Sequence, residues 1–397
     1  MRVLICGGGV AGLTCAYWLC QTGHTPVVVE RAQAGPLGGY GIDLSGAGYT
    51  IADRMSILDQ LAARQLRVGP VAFVDAADRI TAQLNRPLAE KVLRGPYLAL
   101  MHTTLEEVLA DAVRDMVEVR YRQSVGKVQQ SDGGVEVTFA DGTQGSFDAF
   151  VGADGVHSRT RELVFGSELW WARHLGFSMA CYPVPDITGL TDIRAHFTEP
   201  GRQTVLYPTD TAGTSIALFL YRARPHGSIP RSERGARLRT AYIGSGWHTP
   251  ELLAYAPDDG FFMDTLTQIE LPGWHRGRVV LIGDACGALT LTSAQGASVA
   301  MAGGYLLAKA LEAHPFDHTA AFAAYEARLR PFVTERQRRA RAFARGLVPA
   351  TRAGRSVQRM VTRLVLRDAC APLLRFGFGD TSSILPTSPD NKKETAQ

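Results

Sequence analysis

Gly7, Gly9 and Gly12 stand at the spacing G-x-G-x-x-G, and an acid, Glu30, follows downstream. Residues of these types in this order bind a dinucleotide. Gly7 makes a tight turn, Gly9 presents no side chain to a pyrophosphate, and Gly12 lets a helix lie close to a sheet. Val10 and Ala11 belong to this turn, and the helix that follows has free N–H groups and a dipole that favour the negative charge of the phosphates. Glu30 stands where a carboxylate accepts hydrogen bonds from a ribose. It favours an adenosine ribose with free hydroxyls, as in FAD or NAD, over a 2′-phosphate. A glycine turn with no ligand would not need the flanking order seen here: an apolar run at 2–6, a helical pattern at 13–21, and a second apolar run at 26–29 ending on the acid.

Two more apolar runs end at glycine and aspartate, Gly152-Ala153-Asp154-Gly155 and Gly283-Asp284. Strand ends of this kind are where α/β sheets place ligands. The six cysteines, Cys6, Cys15, Cys20, Cys181, Cys286 and Cys370, lack framework spacing and read as buried thiols in a reducing compartment, with no metal site expected.

The elements that must hold these turns follow from length and pattern. With 397 residues, 46% of them hydrophobic and a net charge of +4, the chain can bury a large core and form more than one unit. Thr103-Thr104-Leu105-Glu106 reads as a capping box opening a helix through Val113. Turns at Asp132-Gly133 and Asp141-Gly142 imply an antiparallel meander. Residues 35–48 read as a glycine-rich loop and 51–65 as one helix. From about residue 170 to 270, aromatic and β-branched strands broken by Pro and Gly form a mostly-β layer. Long arginine-rich helices close the chain. They read as solvated faces, since the overall charge is small, so no nucleic acid is expected. No run of about 18 apolar residues marks a membrane span. The apolar N-terminus carries nucleotide-pattern glycines where a signal peptide would carry a cleavage site, so a soluble, cytoplasmic protein is expected.

Taken together, GGGVAG, GADGVHSRTR and VVLIGDACGALTLTSAQG resemble, in content and order, the FAD-dependent single-component aromatic hydroxylases of the para-hydroxybenzoate hydroxylase fold. The approach DTLTQIELPGWHRGRVVLIGDA looks especially similar to the tetracycline-inactivating monooxygenases and their antibiotic-pathway relatives. The resemblance covers about residues 1–345.

It implies an α/β fold: an FAD-binding Rossmann-like (GR2-type) domain, an interleaved mostly-β substrate domain and long C-terminal helices. The organisation it suggests is 1–169 for the first part of the FAD domain and 170–272 for the substrate domain. Residues 273–345 would complete the FAD domain, 346–378 would form a helix closing the substrate side, and 379–397 a disordered tail. It assigns bound FAD to Gly7, Gly9, Val10, Ala11, Gly12, Glu30, Arg31, Gly41, His102, Asp154, Gly283, Asp284, Gly296 and Ala297. NAD(P)H would visit transiently and O₂ would be the co-substrate. A flavin C4a-hydroperoxide would pass one oxygen to a bulky, electron-rich natural product, polycyclic or polyketide- or terpenoid-like; the alternative is a same-fold dehydrogenase or reductase without oxygen insertion. The cofactor carries the hard step, so no acid–base triad is required. His102, His196 and Tyr207 are candidates for proton transfer. Phe177, His196, Tyr207, Phe219 and Tyr221 are candidates for the substrate wall. A monomer or a homodimer fits equally.

Where the family has arginine, this chain has His102, a donor whose charge depends on pH. Leu289, Leu291 and Ala294 also depart from the family pattern beside the flavin ring.

Overall fold

The computed structural model describes residues 1–33, 39–66, 69–190, 192–224, 229–258, 260–290, 295–366, 370 and 381–385. The opening βαβ unit is β1 (Arg2–Cys6), α1 (Val10–Gln21) and β2 (Thr25–Glu30). Next come β3 (Gly41–Ser45), α2 (Ala47–Arg54), α3 (Leu58–Ala63), β4 (Val71–Val74), β5 (Ile80–Leu84), α4 (Arg86–Leu93), β6 (Tyr97–Met101) and α5 (His102–Val113). A strand-rich stretch holds β7 (Glu118–Tyr121), β8 (Val125–Ser131), β9 (Gly134–Phe139), β10 (Gln144–Phe147) and β11 (Ala149–Gly152), ending in α6 (Arg159–Phe165). Then follow β12 (Ala172–Pro185), β13 (Arg194–Glu199), β14 (Arg202–Pro208), β15 (Thr214–Arg222), α7 (Arg231–Ala241), α8 (Thr249–Ala254) and β16 (Phe262–Ile269). The last part holds β17 (His275–Arg276), β18 (Val279–Leu281), α9 (Asp284–Gly287), α10 (Gly296–Ala313), α11 (His318–Leu347) and α12 (Arg352–Val365).

These strands form a six-stranded sheet ordered β17-β18-β11-β1-β2-β7, parallel except for the β17 edge. Its strands are apolar on both faces, as a sheet covered by helices requires. β8, β9 and β10 are the antiparallel meander that the two Asp-Gly turns imply. Helix α10 lies close against α1 because Gly304 leaves room: a Cβ there would come within 2.6 Å of the Cys15 nitrogen.

The second large sheet is seven-stranded, ordered β16-β12-β15-β14-β13-β4-β5. Two of its strands, β4 and β5, come from the first hundred residues, where β4 adds in parallel to β13. One face of this sheet carries Phe177, Met179, Cys181, Val205, Tyr207, Ile216, Leu218 and Leu220 and packs toward Ala99, Met101 and the end of α11. The opposite face carries Tyr182, Leu206, Phe219 and Tyr221 and is covered by Leu238 of α7 and Leu252 of α8.

Four local expectations are corrected. Part of the glycine-rich stretch is a strand, β3, which pairs antiparallel with β6. The helix expected at 51–65 is broken into α2 and α3 at Ser56, whose φ of 58° ends the first helix. Helix α5 starts one residue before the expected capping box, with Met101 at its N-cap and no side-chain cap; Glu106 turns to His102 instead. The tail expected to be disordered is docked at 381–385: Thr381 Oγ1 accepts the Ala47 N–H at 2.8 Å, and Arg328 donates to the carbonyls of Ile384 and Leu385. Ile384 and Leu385 are buried in the main core, an apolar pair that a reading of tail composition overlooks.

Candidate functional site

The cradle at the end of β1 is made of backbone. Gly7 has a φ of +114°, and a Cβ on it would lie 2.4 Å from the Ala153 carbonyl oxygen. A Cβ on Gly12 would lie 1.9 Å from the Gly7 carbonyl oxygen, so only glycine allows this turn to seat against this helix. Gly9 is the N-cap of α1, with no side-chain cap, and Val10 and Ala11 begin the helix. Glu30 at the end of β2 is already aligned: one carboxylate oxygen accepts the Gly8 N–H and the other the Ala32 N–H, both at 2.8 Å. Arg31 follows it on the exposed side.

The other two acid-bearing turns converge on the first. Asp154 spends its carboxylate locally. It accepts the Ser158 hydroxyl at 2.5 Å, the Thr160 N–H at 2.8 Å and the Thr160 hydroxyl at 3.1 Å. The aspartate thus shapes the turn that presses on Gly7. Gly283, at φ +60°, brings the third turn against α1, where its Cβ would meet the Ala11 methyl at 2.8 Å. Arg161 is fully buried and ties the second turn to the third, donating to the carbonyls of Val156 and Ala285 and to Glu168. Burial works against its charge and Glu168 sustains it.

Asp284 and His102 lie close enough for each to act on the other's charge. Partial desolvation by the surrounding cleft raises the Asp284 carboxyl above its ordinary value, and the His102 charge opposes that rise. His102 Nδ1 is 3.5 Å from Glu106, and its ring is tilted against Tyr40 at a centroid distance of 5.6 Å. Gly296 and Ala297 open α10, whose Ser298 hydroxyl donates to the Ser45 carbonyl at 2.9 Å and so holds β3. Leu291 and Ala294 lie outside the described residues. Leu289 is buried in the main core.

Between cradle and wall runs the 39–41 segment. The Gly41 N–H donates to the Tyr207 hydroxyl at 2.5 Å, the Cys181 thiol donates to the Gly39 carbonyl at 3.8 Å, and Tyr40 packs on Phe262. Tyr207 is therefore already engaged, and burial raises its phenol above the ordinary range. Arg194 lies 5.7 Å from the Tyr207 ring and makes a two-pronged ion pair with Asp43 at 3.1 and 3.2 Å. His196 shares this face but stands apart, ringed by Phe73 and the polar edge of α12 in a small cavity. Burial, helped by the Arg194 charge, pushes its pKa down to about 3, so the imidazole is neutral. Its Nε2 is buried without a partner among the described residues.

Of the expected wall, Phe177, His196 and Tyr207 share the face turned to the cradle, although Phe177 lies at its far end under the Arg222 guanidinium. Phe219 and Tyr221 belong to the opposite face. Phe219 stacks on Tyr182 and meets Tyr242 edge-on, so both are packing residues under α7 and α8 and not part of the wall. Both faces of β15 are apolar, so alternation along the strand carries no sign of which face is which. Sequence reasoning missed Tyr40, Glu106, Asp43 and Arg194. Only Glu106 had a signal, its i+4 spacing from His102.

Three turns converging at the C-terminal edge of a parallel sheet define a dinucleotide-binding oxidoreductase fold. Comparison with known proteins fixes which one. The FAD binding domain family matches residues 1–346, so the chain belongs to that family. A flavin-dependent monooxygenase of unknown prokaryotic origin is 30% identical over 347 residues, covering 85% of this chain and 87% of its own. A flavin-dependent monooxygenase of Legionella longbeachae is 29% identical over 343 residues, with the same coverage. The crystal structure of the tetracycline destructase Tet(51) superposes with a TM-score of 0.82 at 26% identity, over 98% of this chain and 99% of that one. The protein is an FAD-dependent monooxygenase of the para-hydroxybenzoate hydroxylase-like class.

Proposed function

We propose that the enzyme uses NAD(P)H and O₂ to place one oxygen atom on a bulky, electron-rich polycyclic small molecule. The observation that carries this reading is the position of the apolar sheet face. It meets the cradle across Tyr40 and Gly41, leaving the reacting space between a nucleotide site and a dry wall. The residues fit FAD. The cradle that a Cβ on Gly7 or Gly12 would fill suits a pyrophosphate, and Glu30 is set for a ribose. When bound, FAD supplies the hydride acceptance and oxygen activation that side chains lack. Gly7, Gly9, Gly12, Glu30 and Asp284 would hold and orient it. The N-terminus of α10 at Gly296 and Ala297 would stabilise negative charge on the reduced cofactor. Phe262, Met179 and Leu218 exclude water from the space in front. Tyr207 fixes the Gly41 backbone, and the Arg194–Asp43 pair backs Tyr207 from behind. His196 is neutral and lines the separate small cavity beside α12. A polycyclic substrate is supported by the likeness to Tet(51), named a tetracycline destructase.

The test is NADH and NADPH consumption under ¹⁸O₂ across polyketides, tetracyclines and terpenoid indoles, with mass detection. The expected result is substrate-stimulated oxidation and a product carrying one labelled oxygen. Substrate-stimulated oxidation with an unlabelled product would replace this reading with a reductase.

A further inference from the structure

The wall of the cradle facing the phosphates is acidic. Glu106 Oε1 lies 3.2 Å from the position a Cβ on Gly9 would take, so this carboxylate reaches the point on the α1 N-terminus that a pyrophosphate approaches. Asp284, exposed at the start of α9, stands close enough for its charge to act on His102. The side chains facing His102 are Glu106 on its own helix, Asp284 on α9 and the Tyr40 ring from the loop. Among these, the imidazole is the only group able to carry positive charge. Arg31, the other basic residue assigned to the cofactor, is exposed beyond Glu30.

We propose that His102 and Glu106 form a proton-linked clamp for the FAD pyrophosphate, so that the cofactor is bound together with a proton and is released more readily in alkali. Protonated, His102 pairs through Nδ1 with Glu106 at 3.5 Å and would offer its other N–H to a phosphate, converting a repulsive carboxylate into the anchor of a cation. Deprotonated, it would leave the carboxylates of Glu106 and Asp284 uncompensated beside the phosphate charges. The local fields already lean this way. Burial opposes the imidazole's charge, but the hydrogen bond and charge of Glu106, with Asp284, outweigh it and raise its pKa above the ordinary 6.5. A dianion alongside raises it further. The extra affinity is therefore complete below the pKa of the empty cradle and is lost as pH climbs through the higher pKa of the loaded one. A fixed arginine at this position would give no such dependence. The FAD site itself is secured by family membership, so this inference stands apart from the identity of the substrate.

The experiment follows release of FAD from the purified yellow protein on dilution, by the rise in free-flavin fluorescence, between pH 6 and 9. For the natural chain the dissociation constant rises with pH, at its steepest by about tenfold per pH unit, the limit for one proton. His102→Arg retains FAD with a flat profile. Glu106→Gln holds FAD more tightly than the natural chain at pH 9 and moves the fall to lower pH. A flat profile in the natural chain would overturn the clamp, and so would a parallel fall in His102→Arg. If His102→Arg does not fold, Glu106→Gln decides alone: weaker retention at pH 9 ends the proposal.

Discussion

The cradle and the wall are built from different materials. At the cradle, backbone meets backbone. Gly12 closes on the Gly7 carbonyl, Gly7 on the Ala153 carbonyl and Gly283 on the Ala11 methyl, with Glu30 and Asp154 tying down N–H groups. At the wall, side chains meet side chains, and the backbone serves only to alternate them between two faces. A site made of backbone admits few sequences, whereas a site made of side chains admits any set that fills the space. The first is what binding of a shared cofactor requires, and in the proposed reading the choice of substrate falls to the second.

The largest effect that sharpens this contrast belongs to Phe219→Ala. Phe219 is fully buried between Tyr182 and Tyr242, and truncating it should cost about 3–5 kcal/mol of stability. The protein that remains folded should keep its flavin content and its KM for substrate. A denaturation curve beside a flavin-to-protein absorbance ratio checks both, and a selective rise in KM would put Phe219 back in the wall. Gly12→Ala comes next. Its methyl meets a backbone oxygen that cannot swing aside, for an expected cost of about 1–3 kcal/mol and nearly all of the bound flavin. Full colour at natural stability would break the claim that the cradle is backbone-limited.

The smallest effect concerns the seam between the two regions. His157, just after the second turn, pairs with Glu168 at 3.0 Å and reaches across to Asp264 of β16 at 3.1 Å. These carboxylates raise its pKa to about 10. A raised histidine contributes stability that is complete below its unfolded value near 6.5 and is lost as pH climbs toward 10. The ring is half exposed, so solvent screens the pair and the effect is modest. Melting temperatures of the natural protein should fall between pH 7 and 10 more than those of His157→Gln; equal falls would show the seam does not depend on this proton.

The same contrast explains what could be read in advance. G-x-G-x-x-G, the strand before it and Glu30 after it were legible because each position there has a single physical solution. The Asp-Gly turns gave the meander for the same reason. Phe219 and Tyr221 went to the wrong face because β15 is apolar on both sides, and only the arrival of α7 and α8 decides which side each covers. β3 hid among glycines because its partner, β6, lies more than fifty residues away. Glu106 reads as a cap because local spacing cannot foresee that the His102 N–H donates to the Tyr40 carbonyl and the helix starts early.

The alternation of β15 also limits how this enzyme can diversify. Ile216, Leu218 and Leu220 can each be exchanged without disturbing Ala217, Phe219 and Tyr221, which point the other way. Inserting or deleting one residue would instead trade the two sets and turn the helix-packing aromatics toward Ala99, Met101 and the end of α11. New chemistry along this strand is thus reached by point replacement at every second position, while its length is held constant.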